Sequence, residues 1–231
     1  YGLQSSQDFK QLIEKNIHSH TKAIIVQHTF GTPAKIESII AVAKKYGIAV
    51  VEDCAHSLGT EYQNKLLGTF GDIAMLSFGT DKIISCVRGG AVITKSPELL
   101  GACQEIQKSL PPAPVKNILQ ELFYLPAFLI GKLTYGFIIG KWFLYAAKKI
   151  GITTKIIDGC EKQGVWPKHY PSKLPNALAD ILCDQIDDID MANEHRKKIA
   201  DRYHKEIKND KIVKPILNSV SIALRYPIQV E

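Results

Sequence analysis

The sequence lacks any paired arrangement of cysteines. Its five cysteines are odd in number, and no two of them have the Cys-x-x-Cys spacing of a zinc or redox motif. This pattern argues against a disulfide framework and a zinc site, and it indicates a reduced, cytoplasmic protein. His18 and His20 form an isolated His-x-His, which is more typical of a polar surface than of a metal site, so we predict no metal. The cysteines are Cys54, Cys86, Cys103, Cys160 and Cys183.

The sequence also lacks a concentrated basic tract. Lysine and arginine together number 29 against 23 acidic residues, and the formal net charge of +6 is mildly basic. The lysine pairs Lys44-Lys45, Lys148-Lys149 and Lys197-Lys198 are scattered, as on solvated helix faces. Without a basic stripe or a known nucleic-acid-binding motif, we predict no nucleic-acid partner. Hydrophobic residues make up 45% and charged residues 23%, which is ordinary for a soluble globular protein.

No uncharged apolar run is long enough to span a bilayer. The longest, residues 122–131, contains Pro126 and falls short of the roughly 18 to 20 residues that a spanning helix needs. Residues 122–147 are nevertheless strongly apolar, with Lys132 and Lys141 as the only charges. We expect an inserted helical hairpin that packs on the domain or on a dimer partner. The alternative is contact with a membrane surface, because aromatic residues and lysines accompany the apolar ones.

Two apolar segments predict neighbouring parallel strands. Residues 48–53 form a short run without alternation, as in a strand that is buried on both faces of a parallel sheet. Residues 22–26 form a similar strand earlier in the chain. Asp53 therefore falls at the carboxyl edge of the predicted sheet.

The segment between these strands predicts the helix of a βαβ unit. Residues 33–46 carry an apolar residue every three or four positions, which is the period of a helix with one buried face. Thr32 is the predicted N-cap, and Pro33 fits the first helical position. Gly47 is the predicted terminator.

Two further strands are predicted at residues 72–78 and 91–94. Ser77 stands near the end of the first of them, and Lys82 lies in the loop that follows. In open α/β sheets, ligands bind outside the carboxyl ends of the strands. Asp53, Ser77 and Lys82 are therefore candidates to converge on one pocket.

These three residue types suit the chemistry of one cofactor, pyridoxal phosphate. A lysine amine can form a Schiff base with its aldehyde, and a carboxylate can hold its pyridine nitrogen protonated. A serine near a strand end with glycines close by can donate a hydrogen bond to its phosphate. Taken singly, each residue has a plainer interpretation, since a strand-end aspartate often caps a helix, serine is common in turns and most lysines are solvated.

Several blocks of the sequence share the order and spacing of a known enzyme family. They resemble the DegT/DnrJ/EryC1/StrS family of pyridoxal-phosphate sugar aminotransferases. A weaker similarity extends through residues 174–178 to Arg196 and Tyr203. The blocks are His28-Thr29-Phe30-Gly31, Val51-Glu52-Asp53-Cys54-Ala55-His56-Ser57-Leu58-Gly59, Gly68-Thr69-Phe70-Gly71-Asp72, Ser77-Phe78-Gly79-Thr80-Asp81-Lys82 and Gly89-Gly90-Ala91-Val92-Ile93-Thr94.

The resemblance implies a fold and a set of residue roles. The implied fold is an α/β fold-type I large domain, with a mostly parallel sheet and helices on both faces. Lys82 would be the catalytic residue that binds pyridoxal 5'-phosphate as a Schiff base and carries protons. Asp53 would contact the pyridine nitrogen, His56 the ring hydroxyl and Ser77 the phosphate. The implied reaction moves an amino group from glutamate or glutamine to a nucleotide-linked keto sugar, in a homodimer.

Three positions depart from the family pattern and keep other functions open. Arg88 stands beside the glycines where relatives often carry an acid. Pro171 and Lys173 stand where many relatives have an asparagine, which reaches the cofactor of the neighbouring subunit, and an arginine. One alternative is therefore a non-catalytic regulatory or scaffolding homologue. Another is a pyridoxal-phosphate sugar dehydratase, although relatives with that chemistry have histidine in place of the lysine, and Lys82 argues against it.

The resemblance also divides the chain into four parts. We expect residues 1–108 to be part of the cofactor-binding large domain and residues 109–164 to be the apolar insert. Residues 165–205 are expected to carry a long helix, clear from Leu178 onward, that leads to a small domain. Residues 206–231 would begin that small domain. Because the similarity begins well after the usual start of the family, we expect a chain that is truncated at both ends.

Overall fold

The computed structural model describes residues 6–137, 139–152, 159–167, 170–215 and 221–230. Parts of the predicted insert and of the predicted C-terminal segment, residues 138, 153–158 and 216–220, lie outside the described residues. The chain forms two compact units. Unit 1 comprises Tyr1–Ser77, Ala91–Cys103 and Asp187–Glu231, and unit 2 comprises Phe78–Gly90 and Gln104–Ile186.

Helices and strands alternate through the first half of the described chain, and helices dominate the second half. The helices are α1 (Ser6–Lys15), α2 (Ile36–Tyr46), α3 (Pro97–Ser109), α4 (Val115–Leu133), α5 (Ile139–Lys149), α6 (Asn176–Ile186) and α7 (Ile189–Glu206). The strands are β1 (Ala23–Gln27), β2 (Ala49–Asp53), β3 (Glu61–Tyr62), β4 (Lys65–Leu66), β5 (Ile73–Ser77), β6 (Gly90–Thr94), β7 (Ile212–Val213) and β8 (Gln229–Val230).

The largest sheet of the described chain has four strands in the order β1-β2-β5-β6. β1 and β2 are parallel, with Ala23 opposite Ala49 and Gln27 opposite Asp53, and β2 and β5 are also parallel. The predicted βαβ unit is therefore confirmed, and Asp53 lies at the carboxyl edge. Helix α2 packs its apolar side on the sheet. The core between them consists of Val26, Ile36, Ile39, Ala43 and Val50.

Helix α2 begins later than predicted, and the prediction of its cap is wrong. The helix starts at Ile36, and Lys35 occupies the cap position without a capping hydrogen bond from its side chain. Thr32 is extended, and its hydroxyl lies 3.0 Å from the Ser221 hydroxyl. The end of the helix is as predicted, because Gly47 adopts the left-handed conformation that favours glycine after a helix.

Strand β2 is well buried on one face only. Val50 and Glu52 are 3% and 0% exposed, whereas Val51 and Asp53 are half-buried. The prediction of a strand buried on both faces is therefore wrong for this chain. Since successive side chains of a strand point to opposite faces, Glu52 lies on the same buried face as Val50. The buried position of this carboxylate has consequences for the candidate site.

The long helix predicted from Leu178 is two helices. α6 and α7 are separated by a turn at Asp187 and Asp188. Aspartate is a poor residue for a helix interior, because its short side chain competes for nearby backbone groups. The apolar spacing that suggested one helix reflects two buried stretches, one with Leu178 on α6 and one with Ala200 on α7.

The segment that was predicted to be a helical insert carries two helices in unit 2. It consists of α4, a 3-10 turn at Tyr135–Phe137 and α5, and Pro126 lies inside α4 without ending it. Before α4, Pro111 accepts a hydrogen bond from the Lys173 backbone at 2.9 Å, and Pro112 forms a β-bridge with Lys173. Within the described part of the chain, no helix has both the length and the apolar character needed to cross a membrane.

Candidate functional site

Strand β2 ends at Asp53, and two neighbours fix the Asp53 carboxylate. Its Oδ2 accepts a hydrogen bond from Gln27 Nε2 at 2.9 Å, and its Oδ1 accepts one from the Ala55 N–H at 3.0 Å. Gln27 is the direct partner of Asp53 in the β1–β2 register, so strand pairing sets the first contact. Each carboxylate oxygen has a further lone pair, so the group can also accept from a cationic N–H donor such as a protonated pyridine.

Glu52 lies beside Asp53 in the sequence and organises the core below it. It is fully buried and accepts hydrogen bonds from the backbone N–H groups of Gly68, Phe70 and Gly71 at 2.7 to 2.9 Å. Its Oε2 also lies 3.1 Å from His28 Nε2. Burial opposes ionisation, but the donated hydrogen bonds outweigh burial and hold the pKa of Glu52 below its usual range. The sequence signal for this role is an acid inside the apolar run of residues 48–53, but the sequence alone does not identify its partners.

His28, Glu52 and Cys54 bring three metal-binding types together within 4.8 Å. Hydrogen bonds account for the arrangement. The Ala34 N–H donates to His28 Nδ1 at 3.1 Å, so the neutral imidazole carries its proton on Nε2 and donates it to Glu52. Burial raises the pKa of the Cys54 thiol to about 12, so the sulfur stays protonated at neutral pH. The cluster is thus a buried hydrogen-bonded network.

His56 follows β2 and is held by the loop after β1. Its ring stacks on Phe30 with 5.7 Å between centroids and 8° between planes. The Phe30 N–H donates to His56 Nδ1 at 3.3 Å, which places the proton of a neutral ring on Nε2. Phe30 adopts a left-handed backbone conformation with φ +55°, which is uncommon for a residue other than glycine. A neutral His56 ring is therefore held in the tautomer that donates from Nε2.

Ser77 and Lys82 lie before and after the boundary between the two units. Ser77 is the last residue of β5 in unit 1 and is half-buried. Lys82 lies in unit 2, and its backbone N–H donates to the Gly79 carbonyl in a tight turn at 3.1 Å. Its side chain is mostly covered, and Nζ lies 3.6 Å from Asp81 Oδ1. The Lys82 ammonium is thus partly covered and lies beside one carboxylate.

The loop that carries Lys82 is held by Gln185 of α6. Gln185 Oε1 accepts from the Ser85 N–H at 3.1 Å, and Gln185 Nε2 donates to the Ser85 carbonyl at 2.9 Å. The loop is closed by hydrogen bonds between Phe78 and Gly89 at 2.8 Å and between Cys86 and Phe78 at 3.2 Å. These bonds fix the backbone on both sides of the lysine turn. Sequence spacing alone could not assign this contact to Gln185, because its partner Ser85 lies 100 positions earlier in the chain.

Arg88, one of the departures from the family pattern, has partners within unit 2. Its Nε lies 3.8 Å from Glu121 Oε1 on helix α4, and its guanidinium lies over the Tyr170 ring at 5.3 Å. It also donates to the Tyr170 hydroxyl. Burial raises the pKa of Glu121, and the nearby Arg88 opposes that rise. The basic residue thus pairs with Glu121, the only acid in the sequence of the α4–α5 hairpin.

The structure places the four predicted cofactor-binding residues in two units. Asp53, His56 and Ser77 belong to unit 1, and Lys82 belongs to unit 2. Gln27 holds Asp53 at the sheet edge, and Phe30 holds His56 in the loop after β1. The convergence of all four residues on one cofactor remains a prediction.

Comparison with known proteins finds a family model that matches the first part of the chain. Residues 8–112 match the DegT/DnrJ/EryC1/StrS aminotransferase family. The chain is similar to the GDP-perosamine synthase of Escherichia coli O157:H7, with 42% identity over 91 residues. That alignment covers 39% of this chain and 25% of the relative, so the chain spans about a quarter of the length of this curated relative.

Solved structures share the fold of the chain. The Helicobacter pylori PseC aminotransferase involved in pseudoaminic acid biosynthesis matches with a TM-score of 0.64 and 22% identity, over 96% of this chain and 49% of that one. The E. coli GDP-4-keto-6-deoxy-D-mannose-3-dehydratase with bound hydrated PLP matches with a TM-score of 0.61 and 15% identity, over 96% of this chain and 50% of that one. The predicted fold-type I α/β architecture is therefore confirmed.

Proposed function

Residues 8–112 belong to the DegT/DnrJ/EryC1/StrS aminotransferase family, and from this premise we propose that the protein is a pyridoxal-phosphate-dependent sugar aminotransferase. Its reaction moves an amino group from glutamate or glutamine to a keto sugar carried on a nucleotide. The similarity to GDP-perosamine synthase supports a nucleotide-linked sugar. We further propose that the protein acts as a homodimer in the cytoplasm.

The observation that carries the proposal is the state of Asp53. Its carboxylate stands at the carboxyl edge of a parallel sheet, where ligands bind in this class of fold. Gln27 and Ala55 each donate to one of its oxygens and leave acceptor capacity on both. A carboxylate that only capped a helix would not need a partner from the neighbouring strand.

The residue types of the site fit pyridoxal phosphate. When bound, the cofactor supplies an aldehyde that condenses with amines and a ring that accepts electrons. Asp53 supplies the acceptor for a ring N–H, and His56 supplies a donor on Nε2 for the ring hydroxyl. Ser77 at the end of β5 supplies a hydroxyl for the phosphate. Lys82 supplies the amine.

Each of these residues has a distinct task in the proposed reaction. Lys82 would hold the cofactor through its amine and, once the amino donor has taken its place, would carry a proton as general acid and base. Asp53 would keep the ring nitrogen of the bound cofactor protonated, because a carboxylate in contact favours the charged form of a basic nitrogen. Gln185 is a positioning residue, since it holds the loop backbone at Ser85 and does not reach the reacting atoms.

Two alternatives differ from this proposal at Lys82. A sugar dehydratase of the same fold would have histidine at this position, so Lys82 favours amino transfer. A regulatory or scaffolding homologue would keep the fold and bind a partner without turnover. The pairing of Arg88 with Glu121 removes one of the reasons for that alternative, because it gives the unusual base a structural partner.

The proposal is tested by following both products of amino transfer. The protein is incubated with pyridoxal phosphate, glutamate and a GDP-linked 4-keto-6-deoxy sugar, and 2-oxoglutarate and the amino sugar are measured by mass spectrometry. We expect both products in equal amounts, and neither from Lys82→Ala. A deoxygenated sugar formed together with 2-oxoglutarate and ammonia, without any amino sugar, would indicate a dehydratase. Cofactor binding without either product would indicate a non-catalytic homologue.

A further inference from the structure

The hairpin of α4 and α5 packs with its small residues inside. Its buried apolar positions are Ala127 and Gly131 on α4 and Gly140 and Ala147 on α5. A Cβ atom at Gly131 would overlap Leu144, and one at Gly140 would overlap the backbone of Gly131. The two helices therefore approach closely at Gly131 and Gly140, and Leu144 of α5 fills the space beside Gly131.

Large apolar side chains cover the outside of the hairpin instead. Leu133, Ile139 and Trp142 are 72%, 66% and 68% exposed. Small residues between helices and large apolar residues outside them are the arrangement found where helices meet lipid. An exposed apolar surface of this kind marks an interaction site. We call the following six residues the hairpin surface: Phe128, Leu129, Leu133, Ile139, Trp142 and Tyr145.

Positive charges predominate around the hairpin surface. Residues 115–152 contain five lysines and a single acid, Glu121, which is buried beside Arg88. In the described chain, none of the five lysines forms an ion pair with a carboxylate. The lysines are Lys116, Lys132, Lys141, Lys148 and Lys149.

Aromatic residues with polar edges stand next to these lysines. Lys141 Nζ lies 4.9 Å from the centre of the Tyr135 ring, and Lys149 Nζ lies 5.9 Å from that of Tyr145. Trp142 and Tyr145 pack edge to face. Tryptophan and tyrosine favour the border between lipid and water, and lysine favours the headgroups of anionic lipids. The hairpin thus combines three features of helices that bind bilayer surfaces.

We propose that the hairpin surface docks on an anionic lipid bilayer, with both helices in the interfacial region. The apolar side chains enter the boundary between headgroups and acyl chains, and the lysines contact the anionic headgroups. The proposal depends on exposure and charge alone, so it stands or falls separately from the aminotransferase activity.

Charge complementarity favours a bilayer over a second copy of the chain. A symmetric dimer places the same surface patch of two copies face to face. Here it would bring two sets of five lysines together, with each Glu121 already buried against Arg88. Like charges across an interface oppose association, whereas an anionic headgroup layer is attracted to the same lysines.

Co-sedimentation with vesicles tests the proposal on the 231-residue chain. Vesicles of pure phosphatidylcholine are compared with equimolar phosphatidylcholine and phosphatidylglycerol. We expect binding to the anionic vesicles to be at least about tenfold stronger, and to weaken when salt rises from about 0.1 M to about 1 M. Changing Lys141, Lys148 and Lys149 together to glutamine should lower the affinity by about a hundredfold.

The two tryptophans of the chain provide a matched pair of variants. Trp142 lies on the hairpin surface, and Trp166, which is 76% exposed, lies outside it. Trp142→Ser should weaken vesicle binding about tenfold or more, and Trp166→Ser should leave it unchanged.

With Trp166→Phe, the emission of Trp142 should shift to shorter wavelength on binding and be quenched by brominated lipid. With Trp142→Phe, the emission of Trp166 should keep its wavelength and should not be quenched. Circular dichroism confirms that each variant is folded.

Three results would overturn the proposal. The first is failure of the folded chain to bind anionic vesicles. The second is equal, salt-insensitive binding to both vesicle types, because the lysines would then have no part in it. The third is a dimer in sedimentation analysis that Trp142→Ser dissociates, which would make the hairpin surface an interface between two copies.

Discussion

His28 and Glu52, both fully buried, meet through a contact of 3.1 Å between Nε2 and Oε2. This contact links the end of β1 to β2 at the residue before Asp53. Glu52 also holds the loop at residues 68–71 through three backbone N–H groups. One carboxylate therefore ties together the two strands and the loop that surround the base of the candidate site.

We expect Glu52→Gln to destabilise the fold by about 3 kcal/mol. Glutamine removes the negative charge, and its NH₂ group turns two donors toward backbone N–H groups that need acceptors. Urea unfolding followed by circular dichroism measures the change. The control is Glu61→Gln, an exposed position on β3 that should change the free energy of unfolding by less than about 0.5 kcal/mol. A loss of similar size in both variants would contradict the role of Glu52.

The pH dependence of stability should carry the signature of Glu52. Its pKa is lower in the folded protein than its ordinary value of 4.5, so the unfolded chain binds the proton more readily. The stabilisation is therefore complete above pH 4.5 and is lost as the pH falls through the lower folded pKa. In Glu52→Gln, the free energy of unfolding should therefore fall less steeply as the pH is lowered below 4.5. If the variant lost stability with falling pH as steeply as the natural sequence, the pH dependence would belong to other groups.

Lys82→Ala should abolish covalent attachment of the cofactor. The protein is mixed with pyridoxal phosphate and reduced with borohydride, and the modified peptide is found by mass spectrometry. We expect the label on Lys82 in the natural sequence, and at least a tenfold loss in the variant, because no other amine occupies this loop. Lys162→Ala, an exposed lysine of unit 2, is the control. A label that survives in Lys82→Ala at full level would remove Lys82 from the site.

Asp53→Asn should leave cofactor attachment intact and slow proton transfer. An amide is a far weaker partner for a protonated ring nitrogen than a carboxylate is. The cofactor ring would therefore accept electrons less readily. Single-turnover mixing with glutamate should show a half-reaction slowed by about 10² to 10⁴. Asp201→Asn on the exposed side of α7 is the control. Wild-type rates in Asp53→Asn would make Asp53 a structural residue of the strand end.

Arg88 and Glu121 should show energetic coupling. Arg88→Glu places two acids together, and Glu121→Arg places two bases together, so each change alone should lower stability. The double exchange restores an ion pair of reversed polarity and should recover part of the loss, with a coupling of about 1 to 3 kcal/mol. Thermal unfolding of the natural sequence, the two single variants and the double variant measures this coupling. Strictly additive effects would mean that the ion pair does not hold the hairpin to the loop.

The sequence predicted the βαβ unit well, because its signals are local. The apolar run before Asp53 and the glycine at position 47 each dictate a backbone state without reference to distant residues. The cap of α2 could not be predicted in the same way. Thr32 has the right residue type, but its hydroxyl contacts Ser221, which lies far along the chain.

The candidate site shows the same division between local and distant information. Motif order was enough to single out Asp53, but Gln27 became visible as its partner only through the strand register. Gln185 contacts a backbone group 100 positions earlier, and no periodicity encodes such a contact. The ionic partner of Arg88 likewise lies on a helix that was predicted only as an apolar insert.

The paired hydrogen bonds of Gln185 have a further consequence for the loop that carries Lys82. A side-chain amide that both donates to and accepts from one residue substitutes for the backbone of a neighbouring strand, so Ser85 is held as if it were in a sheet. Part of the loop is therefore ordered before any small molecule arrives. A ligand that engages the lysine loses less conformational entropy in ordering the loop, and more of its contact energy remains as affinity.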